Sequence, residues 1–229
     1  QAKQALIDFA KTSRGVTLSS DRLTIGFARR ATAYKRADLL LKDVAWLKSI
    51  SEKVGKLQIV YAGKAHPRDE EGKAKIERIL QLQEELGDSL PIVYLEDYNM
   101  TIGQLMTAGC DLWLNTPQPP LEASGTSGMK AAVNGVPSLS ILDGWWIEGH
   151  QEGVTGWAIG ELEPDPDPQE NRWDRDASAL YQKLEQVVVP TFYQNQEQYL
   201  EVMLQSIAHN GAQFNTQRMM QEYIQKAYA

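Results

Sequence analysis

The chain has 229 residues, of which 42% are hydrophobic and 23% charged, which is the composition of an ordinary globular protein. Its formal net charge of −7 argues against a general nucleic-acid binder and against a membrane-surface binder. No apolar run approaches the roughly 18 residues needed to cross a bilayer, and no signal-peptide pattern opens the chain. A single cysteine, Cys110, excludes an intrachain disulfide framework and fits a reducing cytoplasm. Because the chain begins at Gln1 rather than Met, we expect a fragment or a processed product.

Short apolar and β-branched runs alternate with helical patterns along most of the chain. Five of these runs are predicted strands: Leu23–Phe27, Leu57–Tyr61, Pro91–Leu95, Asp111–Leu114 and Val136–Leu142. Between them the pattern predicts helices at Ala33–Lys53, Asp69–Leu86 and Ile102–Ala108, and a short helix after a Gly-rich turn. This alternation indicates an α/β fold, a Rossmann-like parallel sheet with helices on both faces. Ligands bind beyond the carboxyl ends of the strands in such sheets.

The pattern changes after Gly160. Residues 161–168 are acidic and Pro-rich, which favours an exposed loop. Four further segments have helical spacing, one at the start of the chain and three at its end: Ala2–Lys11, Asp176–Val188, Thr191–His209 and Thr216–Tyr228. We therefore expect one Rossmann-like domain over residues 1–229, with a sheet core at about 20–160 and a cap of C-terminal helices at 174–229.

One Gly-rich segment, EASGTSGMK, runs from Glu122 to Lys130 and leads into a helix that Asn134-Gly135 would terminate. Its glycines let the backbone approach a ligand closely, and free N–H groups with Ser and Thr hydroxyls suit a phosphate. The glycine content alone favours a simpler interpretation, a tight strand–helix connection that carries a solvated lysine. The segment is neither a Walker loop nor a G-x-G-x-x-G fingerprint.

A second segment, GFARRATAYKR from Gly26 to Arg36, places four cations at one strand-to-helix junction of an acidic protein. A cation in the first helical turn is unfavourable for the helix dipole unless an anion lies there. For Arg29, Arg30 and Lys35 we therefore expect an anion site, and for Arg36 a solvated helix start.

The run from Glu122 to Asn134 resembles the pyridoxal-phosphate attachment segment of the glycogen and α-glucan phosphorylases. The resemblance implies that Lys130 binds the cofactor covalently. It also implies that three residues surround the cofactor phosphate: Gly125, Thr126 and Ser127. Three residues would contact the transferred glucose: Glu122, Ser124 and Gly125. Ser127-Gly128 and Val133 depart from the usual family residues, and neither removes a reacting group.

The basic segment resembles the phosphate-binding pattern of the same family, in which an Arg, four residues ending in Tyr, and a Lys follow one another. This implies that Arg30 and Lys35 bind inorganic phosphate, that Tyr34 contacts the sugar and that Arg29 lies near the cofactor phosphate.

Two segments between these also resemble the phosphorylases in order and spacing, Tyr61–Pro67 and Leu95–Met100. Lys64 in the first is expected only to line the pocket. Tyr98 in the second matches a position beside the cofactor. Asn99 stands where larger phosphorylases have an arginine on the cofactor phosphate, so it can donate a hydrogen bond there but no charge.

Together these segments cover about residues 23–160 and imply the C-terminal lobe of a two-lobed (GT-B) retaining glycosyltransferase. The implied reaction is the reversible phosphorolysis of an α-1,4-glucan by orthophosphate, which yields glucose 1-phosphate. Lys130, Arg30 and Lys35 are then the catalytic residues, the cofactor phosphate does the acid–base work, and the N-terminal lobe is a required partner. The alternatives are a non-catalytic glucan-binding lobe and the corresponding lobe of a nucleotide-sugar-dependent glucan synthase. The sequence leaves a homo-oligomer open.

Other reactive residue types have simpler interpretations. His66, His150 and His209 are scattered without Cys partners, so we expect no metal site. His66-Pro67 favours a turn, Cys110 a small core residue, and Trp145-Trp146 packing beneath a loop rather than stacking on a sugar.

Overall fold

A computed structural model of the chain describes residues 1–161 and 169–228. The predicted loop at 161–168 lies outside the described residues except for its first position. The strands are β1 Leu23–Ala28, β2 Leu57–Ala62, β3 Ile92–Leu95, β4 Leu112–Asn115, β5 Ser138–Ile141 and β6 Gly156–Ile159. The helices are α1 Ala2–Arg14, α2 Val44–Lys53, α3 Glu70–Leu86, α4 Met100–Gly109, α5 Ser127–Val133, α6 Trp146–Gly149, α7 Gln169–Lys183, α8 Val189–Gln194, α9 Gln196–Gln205 and α10 Thr216–Lys226.

The six strands form one parallel sheet in the order β3-β2-β1-β4-β5-β6. The chain leaves β1 towards one edge and returns to β4 on the other side, so the strand order reverses between these two neighbours. Both faces are covered, since successive residues of β2 lie in separate apolar clusters: Ile59 and Tyr61 in one, Val60 and Ala62 in the other. The predicted Rossmann-like α/β fold is confirmed.

Side-chain caps fix where several helices begin. A carboxylate or amide oxygen accepts a backbone N–H of the first turn at Asp43, Asp69, Asn99, Asn195 and Asn215. These bonds satisfy backbone donors that have no partner within the helix.

The continuous helix predicted over Ala33–Lys53 is wrong. Two short 3₁₀ turns occupy its first half, Ala33–Lys35 and Leu39–Leu41, and the α-helix begins only at Val44, after Asp43. The first turn ends because Arg36 adopts a left-handed conformation with φ of 48°, which cannot continue a helix.

The predicted helix over Thr191–His209 is also divided, because Asn195 leaves helical geometry and caps α9. The helix predicted from Asp176 begins earlier, at Gln169, and continues into a wide π-type turn at Leu184–Val188. A second π-type turn follows α9 at Ser206–Gly211. Strand β6 was not predicted, because two of its four residues are Gly156 and Ala158, which are residue types depleted in strands.

Among the residues that the structure describes, no helix combines the length and apolarity required to span a bilayer. The same residues contain no group of three or more His, Cys, Asp or Glu side chains suited to a metal ion.

Candidate functional site

A cleft of about 340 Å³ opens at the carboxyl ends of β1 and β2, beside the point where the strand order reverses. It is lined by Ala28, Arg29, Arg30, Lys35, Gly63, Lys64, Tyr98, Thr126 and Ser127. Four of these side chains are cationic and three carry a hydroxyl, whereas the chain as a whole has a net charge of −7. The chemistry of the lining therefore suits an anion.

The basic junction after β1 forms one wall of this cleft. Arg29 donates a hydrogen bond from Nη1 to Oδ1 of Asn115 at 3.0 Å, which joins the carboxyl ends of the adjacent strands β1 and β4. Its Nη2 lies 2.7 Å from Oε2 of Glu122, and Nζ of Lys35 contacts the same oxygen. All three side chains of this ionic cluster are less than a tenth exposed.

The electrostatics of Glu122 follow from this position. Burial raises the pKa of Glu122, but the hydrogen bond from Lys35 and the charges of Arg29 and Lys35 outweigh burial and lower the pKa below its ordinary value. Glu122 is therefore a carboxylate at neutral pH, and it neutralises part of the charge on two cleft cations.

Arg30 and Tyr34 differ from their neighbours in this segment. Arg30 is exposed, lines the cleft and has no ion pair with the described residues. The ring of Tyr34 lies beneath Lys35, whose Nζ is 4.4 Å from the ring centroid, a cation–π contact that orients the lysine. Tyr34 does not line the cleft.

The expectation that Arg36 is a solvated residue is wrong. Its side chain is 2% exposed, and Nη1 lies 2.7 Å from Oδ2 of Asp176 in α7. Arg36 also donates to the backbone carbonyls of Thr116 and Pro117, at 2.9 and 2.7 Å. Burial lowers the pKa of the guanidinium, against the opposing effect of the Asp176 carboxylate. Arg36 thus ties the basic segment to the loop after β4 and to the C-terminal helices.

The Gly-rich segment also borders the cleft, at Thr126 and Ser127. Asp143 accepts the backbone N–H of Glu122 at 3.0 Å, and the Ser124 carbonyl accepts the N–H of Trp145 at 2.9 Å, so the loop is anchored beyond β5. Gly125 has φ of 85°, a left-handed conformation that favours glycine. Thr126 and Ser127 then reach the cleft at the start of α5, while Ser124 is exposed outside it.

Lys130 lies one turn along α5 from these two hydroxyls. Its backbone N–H bonds to the carbonyl of Thr126 at 3.1 Å, and residues three and four apart share one face of a helix. The side chain is exposed and does not line the cleft. Lys130 is therefore on the helix that borders the cleft and beside the site, not inside it.

The loops after β2 and β3 complete the lining with Lys64 and Tyr98. Asn99 does not line the cleft, since its Oδ1 accepts the N–H of Ile102 at 3.1 Å and caps α4. Sequence reasoning missed Asn115, Asp143 and Asp176. The only signal for Asn115 and Asp143 was their position just after predicted apolar strands, and nothing local indicated Asp176.

The remaining candidates follow the simpler interpretations. Trp145 and Trp146 are 4% and 1% exposed and pack edge to face against each other. Cys110 is buried, and burial raises the pKa of its thiol far above the ordinary value. His66 stands at the start of a turn, where its Nδ1 accepts the N–H of Arg68.

Comparison with known proteins gives a consistent result. The family profile described as carbohydrate phosphorylase matches residues 1–157. The chain is 46% identical over 223 residues to a glycogen phosphorylase of Aquifex aeolicus, covering 95% of this chain and 32% of that protein. It is 43% identical over 213 residues to a maltodextrin phosphorylase of Thermococcus litoralis, covering 93% of this chain and 25% of that protein. An uncharacterised protein of Methanocaldococcus jannaschii is 32% identical over 229 residues, which are all of this chain and 42% of that protein.

The chain spans about a quarter to a third of the length of the two named phosphorylases. The match extends over the whole sheet apart from the end of β6, and so over every residue that lines the cleft. The chain therefore belongs to the carbohydrate phosphorylase family.

Proposed function

We propose that this chain is the cofactor-bearing C-terminal lobe of an α-glucan phosphorylase of the GT-B type. The reaction would be the reversible transfer of a terminal glucose from an α-1,4-glucan to orthophosphate, giving glucose 1-phosphate. One observation carries the proposal: four cations line a single cleft of an acidic chain, at the sheet position where ligands of such folds bind. Two relatives named as glycogen and maltodextrin phosphorylases support the substrate class.

The residues around the cleft fit pyridoxal phosphate. Arg29, Tyr98, Thr126 and Ser127 offer charge and hydroxyl donors for its phosphate, and Gly125 leaves the backbone open to it. Lys130 would hold it covalently from the adjoining turn of α5. When bound, the cofactor supplies a phosphate group that titrates near neutrality and can exchange a proton with the substrate phosphate.

The chain's own residues would bind and orient the substrates. Arg30 and Lys35 would hold orthophosphate, offsetting the repulsion between two phosphate groups that is large in a water-poor cleft. The sugar would lie against the ionic cluster and the Gly-rich loop, in contact with Glu122, Ser124, Gly125 and Tyr34. The same cations would stabilise the negative charge on phosphate while positive charge develops on the departing glucosyl group.

Catalysis would require more chain than is described here. All the residues above belong to this one lobe, and the chain spans about a quarter to a third of the length of its named relatives. We therefore propose that a second, N-terminal lobe of the same enzyme completes the active site, and that the chain alone turns over no glucan. We propose that the enzyme is cytoplasmic, where Cys110 of this chain would stay reduced.

Borohydride reduction followed by peptide mass mapping tests the assignment. In the enzyme that contains both lobes, we expect a pyridoxyl adduct on Lys130 and loss of cofactor absorbance in Lys130→Ala. Lys53→Ala, an exposed lysine of α2, is the matched control and should keep both signals. Retained phosphorolysis with an unmodified Lys130 would overturn the assignment. Binding of a nucleoside diphosphate sugar without cofactor absorbance would instead favour a glucan synthase lobe.

A further inference from the structure

Lys64 is a cleft-lining cation to which neither the family resemblance nor the proposed reaction assigns a chemical role. It lies two residues after the end of β2, and it is exposed in the cleft that Arg29, Arg30 and Tyr98 also line. A solvated lysine would explain the exposure. It would not explain a position among three other cations in a cleft whose lining, over the residues that the structure describes, contains no acidic side chain.

The backbone at Lys64 is held on several sides. Its carbonyl accepts the N–H of Ala31 at 3.0 Å, and the carbonyl of Gly63 accepts the hydroxyl of Tyr94 at 3.0 Å. A Cβ atom at Gly63 would lie 2.0 Å from the carbonyl oxygen of Arg29, so the two loops touch there through their backbones. Lys64 therefore starts from a fixed position next to the basic segment.

The charges of the cleft are unevenly matched. Arg29 and Lys35 share the carboxylate of Glu122, whereas Arg30 and Lys64 have no ion pair with any described residue. The four cations that line the cleft and the carboxylate of Glu122 together carry a net charge of +3. One phosphate carries about −1.5 to −2 at neutral pH, so this cleft has charge for more than one such group.

We propose that Lys64 binds a phosphate group in this cleft, as a charge-assisted donor that acts together with Arg30. The proposal rests on the proposed function for the identity of the anion. The phosphate could belong to orthophosphate or to pyridoxal phosphate, and both present the same oxygens to the ammonium group.

The test is a calorimetric titration of the 229-residue chain with inorganic phosphate. We expect Lys64→Gln to weaken phosphate binding about tenfold, the scale of one charge-assisted hydrogen bond, and Lys64→Arg to restore most of the affinity. Lys11→Gln removes an exposed lysine of α1 and should change nothing. Phosphate affinity of Lys64→Gln within twofold of the unsubstituted chain would overturn the proposal, as would no measurable phosphate binding by the unsubstituted chain.

A second titration separates the two sources of phosphate. If Lys64 contacts the cofactor, Lys64→Gln weakens pyridoxal phosphate and leaves pyridoxal, which lacks the phosphate, unaffected. If Lys64 contacts orthophosphate alone, neither of these two affinities changes while that for inorganic phosphate falls. If Lys64→Gln weakens the binding of pyridoxal as much as that of pyridoxal phosphate, the substitution has disturbed the site as a whole, which counts against the proposal.

Failure here and failure of the proposed function give different results. If the two-lobed enzyme catalyses phosphorolysis but Lys64→Gln binds phosphate with unchanged affinity, only the proposed role of Lys64 is refuted. If phosphate binding depends on Lys64 but the two-lobed enzyme shows neither phosphorolysis nor a cofactor adduct on Lys130, only the proposed reaction is refuted.

Discussion

Arg29 and Glu122 lie 93 positions apart in the sequence, yet Nη2 of the arginine is 2.7 Å from Oε2 of the glutamate. The pair joins the segment after β1 to the Gly-rich loop after β4, across the point where the strand order reverses. The same carboxylate oxygen contacts Lys35. Glu122 therefore forms ion pairs with two of the cations that are proposed to bind phosphate. The two chemistry-bearing segments thus meet directly through this carboxylate.

Glu122→Gln is expected to strengthen the binding of inorganic phosphate to the chain, by about threefold to tenfold. The amide keeps the shape of the side chain but no longer competes with phosphate for Arg29 and Lys35. Calorimetric titration measures the change. Glu148→Gln, an exposed glutamate of α6, is the control. Unchanged or weaker phosphate binding in Glu122→Gln would mean that Glu122 positions these cations rather than competing for them.

Asp176→Asn is expected to lower the free energy of unfolding by about 3 kcal/mol, because it removes the ion-pair partner of the buried Arg36 guanidinium. Arg36 is 2% exposed and Asp176 12%. Asp174→Asn, two positions earlier, removes a carboxylate that is 70% exposed and pairs with Lys42, so it should cost less than about 1 kcal/mol. Urea denaturation measures both variants. Equal losses of unfolding free energy in the two variants would contradict the argument that burial of the ion pair determines its contribution to stability.

Gly63→Ala is expected to destabilise the protein by more than about 2 kcal/mol and to weaken phosphate binding. Gly63 has φ of 148°, and the new Cβ would lie 2.0 Å from the Arg29 carbonyl oxygen, so the loop must move away from the basic segment. Gly15→Ala is the matched control, since Gly15 also has a positive φ of 69° but no atom within 4 Å of a new Cβ. Gly15→Ala should cost about 1 kcal/mol, the strain of a left-handed alanine alone. Thermal unfolding and phosphate titration compare the two, and similar stabilities would refute the steric argument.

Acid stability should depend on Glu152. Burial raises the pKa of Glu152, but hydrogen bonds from His150, Lys183 and the backbone of Ala158 lower it to about 2. A depressed pKa in the folded state means that this stabilisation is complete above the unfolded pKa of about 4.3. It is lost as the pH falls from there through about 2. The contribution is about 1 kcal/mol, since the side chain is 45% exposed and its charge is screened.

Urea titrations between pH 5 and about 2 compare the original chain with Glu152→Gln to test this. The difference in unfolding free energy should shrink as the pH falls through this window. Glu84→Gln removes an exposed carboxylate of α3 and is the control. A difference that stays constant with pH would exclude the charge of Glu152 as its origin.

Much of the fold could be predicted locally. Strands β1 to β5 were predicted because a run of β-branched and apolar residues is a local property of the sequence. The helix predicted over Asp69–Leu86 from its local helical pattern is found at Glu70–Leu86, and the structure adds that Asp69 caps it. β6 and the division of the segment 33–53 were not predicted. The short strand is defined by pairing with β5, and the 3₁₀ turns form around the buried side chain of Arg36.

The basic segment after β1 and the Gly-rich segment after β4 show the same difference between local and tertiary information. The sequence by itself determined which residue types follow each strand: cations after β1 and a Gly-rich segment after β4. It also determined that a parallel sheet brings such segments to one edge. Only the tertiary structure decided the pairings. Asp176 of α7, 140 positions later in the chain, pairs with the buried Arg36, and Glu122 pairs with Lys35. Arg30 and Lys64 have no ion pair within the part of the chain that the structure describes. A residue type is a local property, whereas burial and counter-charge depend on what a distant segment places against it.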